Sequence, residues 1–329
     1  MSRHQPTRFL VVKGGWLTTV QDPGRYGYQQ YGVPVAGAMD CYSATVANRL
    51  VGNTDHAAVL ELTLKGPELQ FERDAVIAIT GADLSPTIDR SSVPLWESIE
   101  VARGSRLSFG SQRSGARGYI AIAGGIDVPR ILGSRSTHCT SEMGGFQGRP
   151  LKQGDLLCSG LPMESIDRLI GKRLPDRLVP RCSRSATLRI IPGPQQGSFS
   201  AASLTILTSS SYTVTPQSNR MGYRLSGPPL VHKGRAQFIS DCTAMGAVQV
   251  PRDEQPILLM ADRQTTGGIP RLPSSFLPIS RSRRNWLPET PSRLSYLPLR
   301  RLKRYCGNIV LCSIQSSLPD ISNLWHHRG

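Results

Sequence analysis

The 329-residue sequence contains no run of about 20 apolar residues, so it predicts no membrane-spanning helix. Its first residues, MSRHQPTRFLVV, lack the apolar stretch of a secretory signal. The seven cysteines are odd in number, and no two of them form a C-x-x-C pair. These absences favour a reducing compartment with free thiols, and we expect a cytoplasmic protein with no membrane partner.

The sequence also lacks the motifs of several familiar catalytic centres. The six histidines are scattered, so with the unpaired cysteines they indicate no metal site. No G-x-S-x-G nucleophile elbow and no Walker-A lysine occur. The chain by itself therefore indicates neither a serine-hydrolase triad nor a familiar ATP site.

The net charge of +16 invites comparison with nucleic-acid-binding proteins. Residues 269–329, however, contain ten basic and two acidic side chains, so they carry half of that excess. The remaining 268 residues carry +8, and no basic strip interleaved with aromatic residues occurs in them. We therefore expect no nucleic-acid partner.

Short apolar runs separated by glycine-rich turns dominate the chain, among them WLTTVQD, AVLELTL, AVIAIT and GYIAIAGG. One helix is expected between Asp40, a natural N-cap, and Gly52. Strands outnumber helices without alternating with them, which predicts an all-β fold of barrels or sandwiches. We expect one β unit over residues 1–158, a polar connector over 159–186 and a second β unit over 187–268.

The densest polar stretch is TTVQDPGRYGYQQYGVPVAGAMD, residues 18–40. Its glycines allow the backbone to approach a ligand and to expose N–H groups. Arg25 is a candidate for binding a carboxylate or phosphate, and Asp22 and Asp40 are candidates for acid–base chemistry or for orienting that arginine. The alternative is a tight turn held by an internal Asp–Arg pair, and the residues alone favour it.

A second polar cluster extends over residues 123–155 and contains two Gly-Gly pairs. Its hydroxyl groups, its backbone amides, Arg135 and Arg149 suit an oxyanionic ligand. His138 lies in the same cluster, but such a histidine is more often structural.

The third cluster begins at TPQSNRMGYRLSGPPL. Asn219, Arg220 and Arg224 follow a loop-then-strand pattern, and an extended Met221–Leu225 would place the two arginines on one face, as a clamp for a carboxylate. Asp241 and Asp262 each follow an apolar run. After them comes the polar turn with Gln264, Thr265 and Thr266. A salt-bridged rim of a barrel is an equally good interpretation.

Together the clusters resemble the allophanate hydrolase subunit 2 family, also called the biotin-dependent carboxyltransferase A/B subdomain family. Its members include the C subunit of prokaryotic 5-oxoprolinase, the regulator KipA and part of urea carboxylase. No single one of these motifs is specific for the family, but the whole series, in order from residue 14 to residue 268, is specific for it. The stretches that carry the resemblance are TVQDPGRYGYQQYGVPVAGAMD, ANRLVGN, LELTLKGPEL, GYIAIAGGIDVP, LGSRST, GGFQGRPLKQGD, IPGPQ, SNRMGYRLSGPPL and ADRQTTGG.

The resemblance implies cyclophilin-like β-barrel subdomains and a protein that works with a subunit-1 partner (KipI-like) and a LamB/YcsF-type partner. The implied reaction is ATP-dependent hydrolysis of the lactam 5-oxo-L-proline to L-glutamate, with ATP bound on, or shared with, one of these partners. Arg25, Arg220 or Arg224 would then hold the carboxylate or the transferred phosphoryl group, and Asp22, Asp40 or Asp241 would handle protons.

Two alternatives remain open. One is a KipA-like regulator that binds its subunit-1 partner without chemistry. The other is a carboxyltransferase or allophanate hydrolase component that acts on a urea-like substrate with carboxybiotin. No A-M-K-M motif occurs here, so a biotin carrier would be another protein.

The sequence departs from the family at three places. After PGPQ the resemblance leads us to expect an acidic residue, where this chain continues with QGSF. Cys242 follows Asp241 where the family usually has glycine. After Gly268 the family continues with Tyr-Pro-Lys-Ile-Ala, whereas this chain has IPRLP. Residues 269–329 contain no alanine, ten leucines and ten serines without a helical or strand period. One interpretation is a disordered basic tail. The other is a shifted reading frame: with permitted codons, restoring one base before Ile269 allows a lysine-led apolar strand followed by Asp-Leu. We predict the second, a frame-shifted and poorly ordered segment.

Overall fold

A computed structural model gives the fold. It describes residues 5–182, 185–190, 193, 195–233, 240–269, 271–274 and 291–296.

The first half of the described chain contains eleven strands and two helices. Three of the strands, Val59–Thr63, Ala75–Asp83 and Ser114–Ile122, are buried over most of their length. The elements in chain order are β1 (Arg8–Lys13), β2 (Leu17–Gln21), α1 (Cys41–Leu50), β3 (Val59–Thr63), β4 (Glu68–Phe71), β5 (Ala75–Asp83), β6 (Pro86–Ile88), β7 (Ser91–Ser92), β8 (Ser98–Val101), β9 (Arg106–Phe109), β10 (Ser114–Ile122), β11 (Leu156–Cys158) and α2 (Ile166–Leu169).

These strands form two antiparallel sheets with the orders β11-β1-β4-β9-β6-β7 and β2-β3-β10-β5-β8. One core cluster, with Phe9, Leu60 and Ile77, joins residues of both sheets. A second cluster joins α1 to β5 and β10 through Ala47, Leu50 and other side chains. Since the five-stranded sheet packs on both faces, its central strands lack the polar alternation of a half-exposed strand.

Helix α1 begins where the sequence predicts it. The carboxylate of Asp40 accepts hydrogen bonds from the backbone N–H groups of Tyr42 and Ser43, at 3.1 and 3.2 Å. These donors have no partner inside the helix, so an aspartate at this position stabilises the first turn. The predicted N-cap is confirmed.

The second half of the described chain contains nine strands and one helix. The helix, α3 (Ala201–Ser209), is not expected from the sequence. Ser200 caps it by accepting a hydrogen bond from Ser203 N at 3.0 Å. The elements are β12 (Ala186–Ile190), α3 (Ala201–Ser209), β13 (Ser211–Val214), β14 (Gly222–Ser226), β15 (Asp241–Cys242), β16 (Ala247–Gln249), β17 (Ile257–Leu259), β18 (Thr266–Gly267), β19 (Arg271–Ser274) and β20 (Pro291–Tyr296).

Seven of these strands form one sheet in the order β12-β20-β13-β14-β17-β16-β19, and β15 pairs with β18. Strands β12 and β20 are parallel, whereas the other neighbours in the sheet are antiparallel. The core of this half includes Tyr212, Leu225 and Met260, and it also contains Met39 from the first half. The two halves therefore share a core at the loop that precedes α1.

The sheets confirm the all-β class; that they are cyclophilin-like barrels, and the proposed domain boundaries, stay predictions. Strands β19 and β20 lie in the segment for which the sequence shows no strand period. Their pairing is made by backbone groups, and a ladder of this kind does not require alternating side chains. Residues 270, 275–290 and 297–329 lie outside the described residues, so the frame shift and the poor order predicted for that segment also stay predictions.

Candidate functional site

The three polar clusters of the sequence meet beside the loop that precedes α1. Strand β2 ends at Gln21, whose side-chain amide donates to the carbonyl of Thr137 at 3.0 Å, and this contact joins the first cluster to the second. Arg220, from the third cluster, donates to the carbonyl of Gly37 at 2.7 Å. We call this region the junction; it comprises residues 22–40, residues 131–145, Glu61, Tyr119, Arg220 and Asp262.

Asp22 lies at the junction and organises the second cluster. Its side chain accepts hydrogen bonds from Ser134 Oγ at 2.7 Å and Ser136 Oγ at 2.5 Å, and from the backbone N–H groups of Gly24 and Arg135 at 2.9 and 2.6 Å. Four donors satisfy both oxygens of a carboxylate. In this arrangement Asp22 is a positioning residue that holds residues 134–136 in place.

Arg25 is also buried at the junction. Its Nε donates to the carbonyl of Ile131 and its Nη2 to that of Ser136, each at 2.9 Å. Nη1 has no hydrogen-bond partner among the described residues, although it is inaccessible to solvent. Burial lowers the pKa of Arg25, and the nearby charges of Asp22 and Asp262 act in the opposite direction. The internal Asp22–Arg25 pair considered for the sequence is not formed, because Arg25 binds carbonyl groups instead.

A buried ion network links the two halves of the protein. The guanidinium of Arg220 contacts Glu61 on β3 through Nη1, and it binds both carboxylate oxygens of Asp262 at 2.8 and 2.9 Å. Burial alone would lower the pKa of Arg220, but the charges of Glu61 and Asp262 raise it well above its usual value. Arg220 therefore has its donors engaged by the protein, which makes it a structural link between the sheets.

Tyr119 and Glu61 extend this network toward α1. Glu61 Oε2 accepts hydrogen bonds from Met39 N at 2.7 Å and from the hydroxyl of Tyr119 at 2.9 Å. The hydroxyl of Tyr119 in turn accepts from Asp40 N at 2.7 Å. Burial and the charges of Glu61 and Asp40 raise the pKa of Tyr119 well above its usual value, so this phenol keeps its proton. Asp40 thus caps α1 and contacts the network through its backbone.

The sequence interpretation missed Glu61 and Tyr119. A signal for Glu61 was present, since an acidic residue stands inside the apolar run AVLELTL. A buried carboxylate in a strand needs a cation or several donors. The partner could not be identified because Arg220 lies 159 residues further along the chain.

His138 is buried beside the network. Its Nδ1 lies 2.6 Å from Ser141 Oγ. Burial lowers the pKa of His138; the carboxylate of Asp262 opposes this shift, and the charges of Arg220 and Arg25 add to it. The neighbouring Cys139 has a raised thiol pKa, again mainly because of burial. Both side chains are therefore neutral near pH 7.

The other predicted arginines are placed differently. Arg149 forms a bidentate ion pair with Asp155, with distances of 2.7 and 2.8 Å. Arg135 donates to the carbonyl of Val128 at 2.7 Å. Arg224 is exposed whereas Arg220 is buried, so the prediction that the two share one face is wrong. The reason is that regular strand geometry begins only at Gly222, after Arg220.

The remaining predicted residues lie on turns and on the β15–β18 ribbon. Asn219 Oδ1 accepts a hydrogen bond from Met221 N at 2.8 Å, which stabilises the turn before β14. Asp241 and Thr266 are exposed on the paired strands β15 and β18. Gln264 donates to the side chain of Gln249 at 3.1 Å, and Thr265 accepts from Thr243 N at 2.9 Å. Asn219 therefore stabilises a turn, Thr266 and Asp241 belong to the paired strands β15 and β18, and Gln264 connects this pair to β16. None of them is part of the junction as defined above.

Within the described ranges, no group of three or more His, Cys, Asp or Glu side chains is placed to hold a metal ion. In the same part of the chain, no helix is both long and apolar enough to cross a membrane.

The fold and the junction define an all-β protein in which two β units share a buried polar network. The sequence profile described as "Carboxyltransferase domain, subdomain A and B" matches residues 31–274. The chain belongs to this carboxyltransferase A/B family, as the motifs predicted.

Curated relatives fall into two groups. The chain is 39% identical to the C subunit of the 5-oxoprolinase of Escherichia coli (strain K12) over 266 residues, which are 80% of this chain and 82% of that protein. It is 37% identical to urea amidolyase of Saccharomyces cerevisiae over 283 residues, 81% of this chain but 15% of that protein. Among solved structures, the urea amidolyase of K. lactis superimposes with a TM-score of 0.84 at 32% identity, covering 97% of this chain and 20% of that one.

Proposed function

We propose that this chain is the counterpart of the E. coli relative in a 5-oxoprolinase-type complex, which hydrolyses 5-oxo-L-proline to L-glutamate at the expense of ATP. The coverage of the relatives supports this choice. The chain matches 82% of the E. coli 5-oxoprolinase component, whereas it matches 15% of the yeast urea amidolyase. The chain therefore aligns with most of the first relative and with only a small part of the second.

The chemistry of the junction is compatible with a small anionic lactam. The expected reaction transfers the γ-phosphoryl group of ATP to the lactam oxygen and releases ADP. Water then attacks the carbonyl carbon and the ring C–N bond breaks, which leaves a free amine and an acyl phosphate; a second water releases inorganic phosphate and L-glutamate. A cation that orients the substrate carboxylate helps this attack by fixing the carbonyl. Arg25 is the candidate, because one of its nitrogens has no acceptor among the described residues.

The junction is less suited to binding a whole ATP molecule than to binding a small anion. A triphosphate needs several convergent donors, of the kind that a phosphate-binding loop provides, and Arg25 offers one nitrogen. We therefore place the ATP site on a partner protein or at the contact with it. The proposed partners are a subunit-1 (KipI-like) protein and a LamB/YcsF-type protein.

Reconstitution tests the proposal. The chain is co-expressed with the subunit-1 and LamB/YcsF-type proteins of its source organism, the complex is purified, and L-glutamate release from 5-oxo-L-proline is measured with and without ATP. We expect release that requires all three proteins and ATP. Stable binding to the subunit-1 protein without turnover would instead indicate a KipA-like regulator.

A second candidate is supported by the structural match to the urea amidolyase of K. lactis, with its TM-score of 0.84. In that case the chain would transfer a carboxyl group from carboxybiotin, held on another protein, to a urea-like acceptor. The single free nitrogen of Arg25 is able to bind one carboxylate oxygen, so the residues fit this group as well. Avidin inhibition and a requirement for bicarbonate would distinguish this activity from lactam hydrolysis.

A further inference from the structure

The guanidinium of Arg25 is a buried cation that forms no ion pair with the described residues. Its side chain is 1% exposed, and its two acceptors, Ile131 and Ser136, are neutral carbonyls. Asp22 and Asp262 act on it only through their charge, and Nη1 has no acceptor in the described part of the chain. Burying a charge in this way is costly, because the guanidinium gives up water without gaining a bonded counterion.

Arg220 provides an internal comparison. It is similarly buried and it also follows a polar loop, yet Glu61, Asp262 and a backbone carbonyl satisfy it. The fold is therefore able to neutralise a buried arginine at this junction. That it does so for Arg220 and leaves Nη1 of Arg25 without an acceptor among the described residues indicates that the acceptor of Arg25 is a group outside that part of the chain.

We propose that Nη1 of Arg25 binds one oxygen of a small monocarboxylate ligand at the junction, between residues 22–40 and residues 131–136. The charge of the ligand follows from the surroundings. Asp22 and Asp262 lie close enough to act on Arg25, so a dianion would meet repulsion that a single negative charge largely avoids. That the ligand is 5-oxo-L-proline rests on the proposed function.

The surroundings of Arg25 include one closely packed segment and one exposed segment. The backbone at Gly144 packs against the guanidinium, since a Cβ there would lie 2.6 Å from Nη2. Tyr26, which follows Arg25, and Ile131, whose carbonyl accepts from Arg25 Nε, are exposed by 54% and 39%. Ile131 and Ser134 close a two-residue turn through mutual backbone hydrogen bonds of 2.8 and 3.2 Å. A ligand thus reaches Nη1 by displacing this exposed turn.

Ligand-dependent thermal stability tests the site without any need for catalysis. The full chain, alone and with its partner proteins, is melted with 5-oxo-L-proline or with inorganic phosphate. Arg25→Gln is compared with Arg224→Gln, which removes an exposed arginine. A ligand at 100 times its Kd raises the Tm of a chain of this size by about 3–8 °C. We expect this increase with 5-oxo-L-proline for the unmodified chain and Arg224→Gln, and none for Arg25→Gln.

Three results would overturn the site: an equal shift in Arg25→Gln, no shift in the unmodified protein, or an Arg25-dependent shift with phosphate alone. If Arg25→Gln does not fold, Arg25→Lys serves, because it keeps the charge and changes the donor geometry. In the reconstituted complex we expect Arg25→Lys to raise KM about tenfold with little change in kcat. An Arg25-dependent Tm shift without lactam hydrolysis by the complex would refute the proposed function but support the ligand site at Arg25. Lactam hydrolysis by a complex with Arg25→Gln, at an unchanged KM, would support the proposed function but refute the site.

Discussion

The buried network of Arg220 predicts a large and specific loss of stability. In Arg220→Met, Asp262 loses both of its hydrogen bonds to the guanidinium and Glu61 loses its cation, while Glu61 keeps the donors Met39 N and Tyr119 Oη. The side chains of Asp262 and Glu61 remain buried, at 5% and 1% exposure. Removing one partner of a buried ion pair costs about 3–5 kcal/mol. That is a large share of the roughly 5–15 kcal/mol that stabilises a typical domain.

Urea unfolding measures this loss by circular dichroism or by the total tryptophan fluorescence, to which the buried Trp96 contributes. The matched control is Arg224→Met, which removes a nearby exposed arginine and is expected to change the free energy of unfolding by less than about 0.5 kcal/mol. A double-mutant cycle with Asp262→Asn isolates the pair. Arg220→Met should cost about 1–3 kcal/mol less in the Asp262→Asn background, since the second carboxylate is then replaced by a neutral amide.

A loss below about 1 kcal/mol in Arg220→Met, similar to that of Arg224→Met, would refute the reasoning. It would mean that water or a partner protein satisfies Glu61 and Asp262 in place of Arg220. Additive effects in the cycle would likewise show that Arg220 and Asp262 do not stabilise each other.

Three other measurements follow from the structure. Burial lowers the pKa of His138 in the folded protein below its unfolded value of 6.5. The contribution of His138 to stability is therefore greatest above pH 6.5 and is lost as the pH falls through the pKa of the folded state. In urea unfolding, His138→Gln should reduce the fall in the free energy of unfolding with decreasing pH, and an unchanged pH dependence would contradict this. Arg149→Met should destabilise the protein by about 1–3 kcal/mol, because the buried Asp155 carboxylate loses its cation and keeps, among the described residues, only the hydrogen bond from Lys152 N. The Tm shift with 5-oxo-L-proline should not change; loss of that shift would indicate that Arg149 takes part in ligand binding. A variant with the reading frame restored after Gly268 should be more soluble or more active than this chain, and equal Tm and activity in the two would count against a frame shift.

The sequence by itself was enough to predict the features that depend on neighbouring residues. The all-β class follows from short apolar runs between glycine turns, and the start of α1 follows from Asp40, whose carboxylate binds donors two and three residues away. The series of motifs identified the family, because each motif needs its own local backbone geometry.

Only the tertiary structure distinguished the two buried arginines. Arg25 and Arg220 stand in similar glycine-containing stretches, and both were candidates for the same anion. Their partners lie far away in the sequence, 111 residues for the carbonyl that binds Arg25 Nη2 and 159 residues for the carboxylate that binds Arg220. Whether a buried guanidinium meets carboxylates or carbonyls depends on how the sheets pack, and no local pattern encodes that contact. The packing therefore determined which arginine is a structural link and which one is left to bind a ligand.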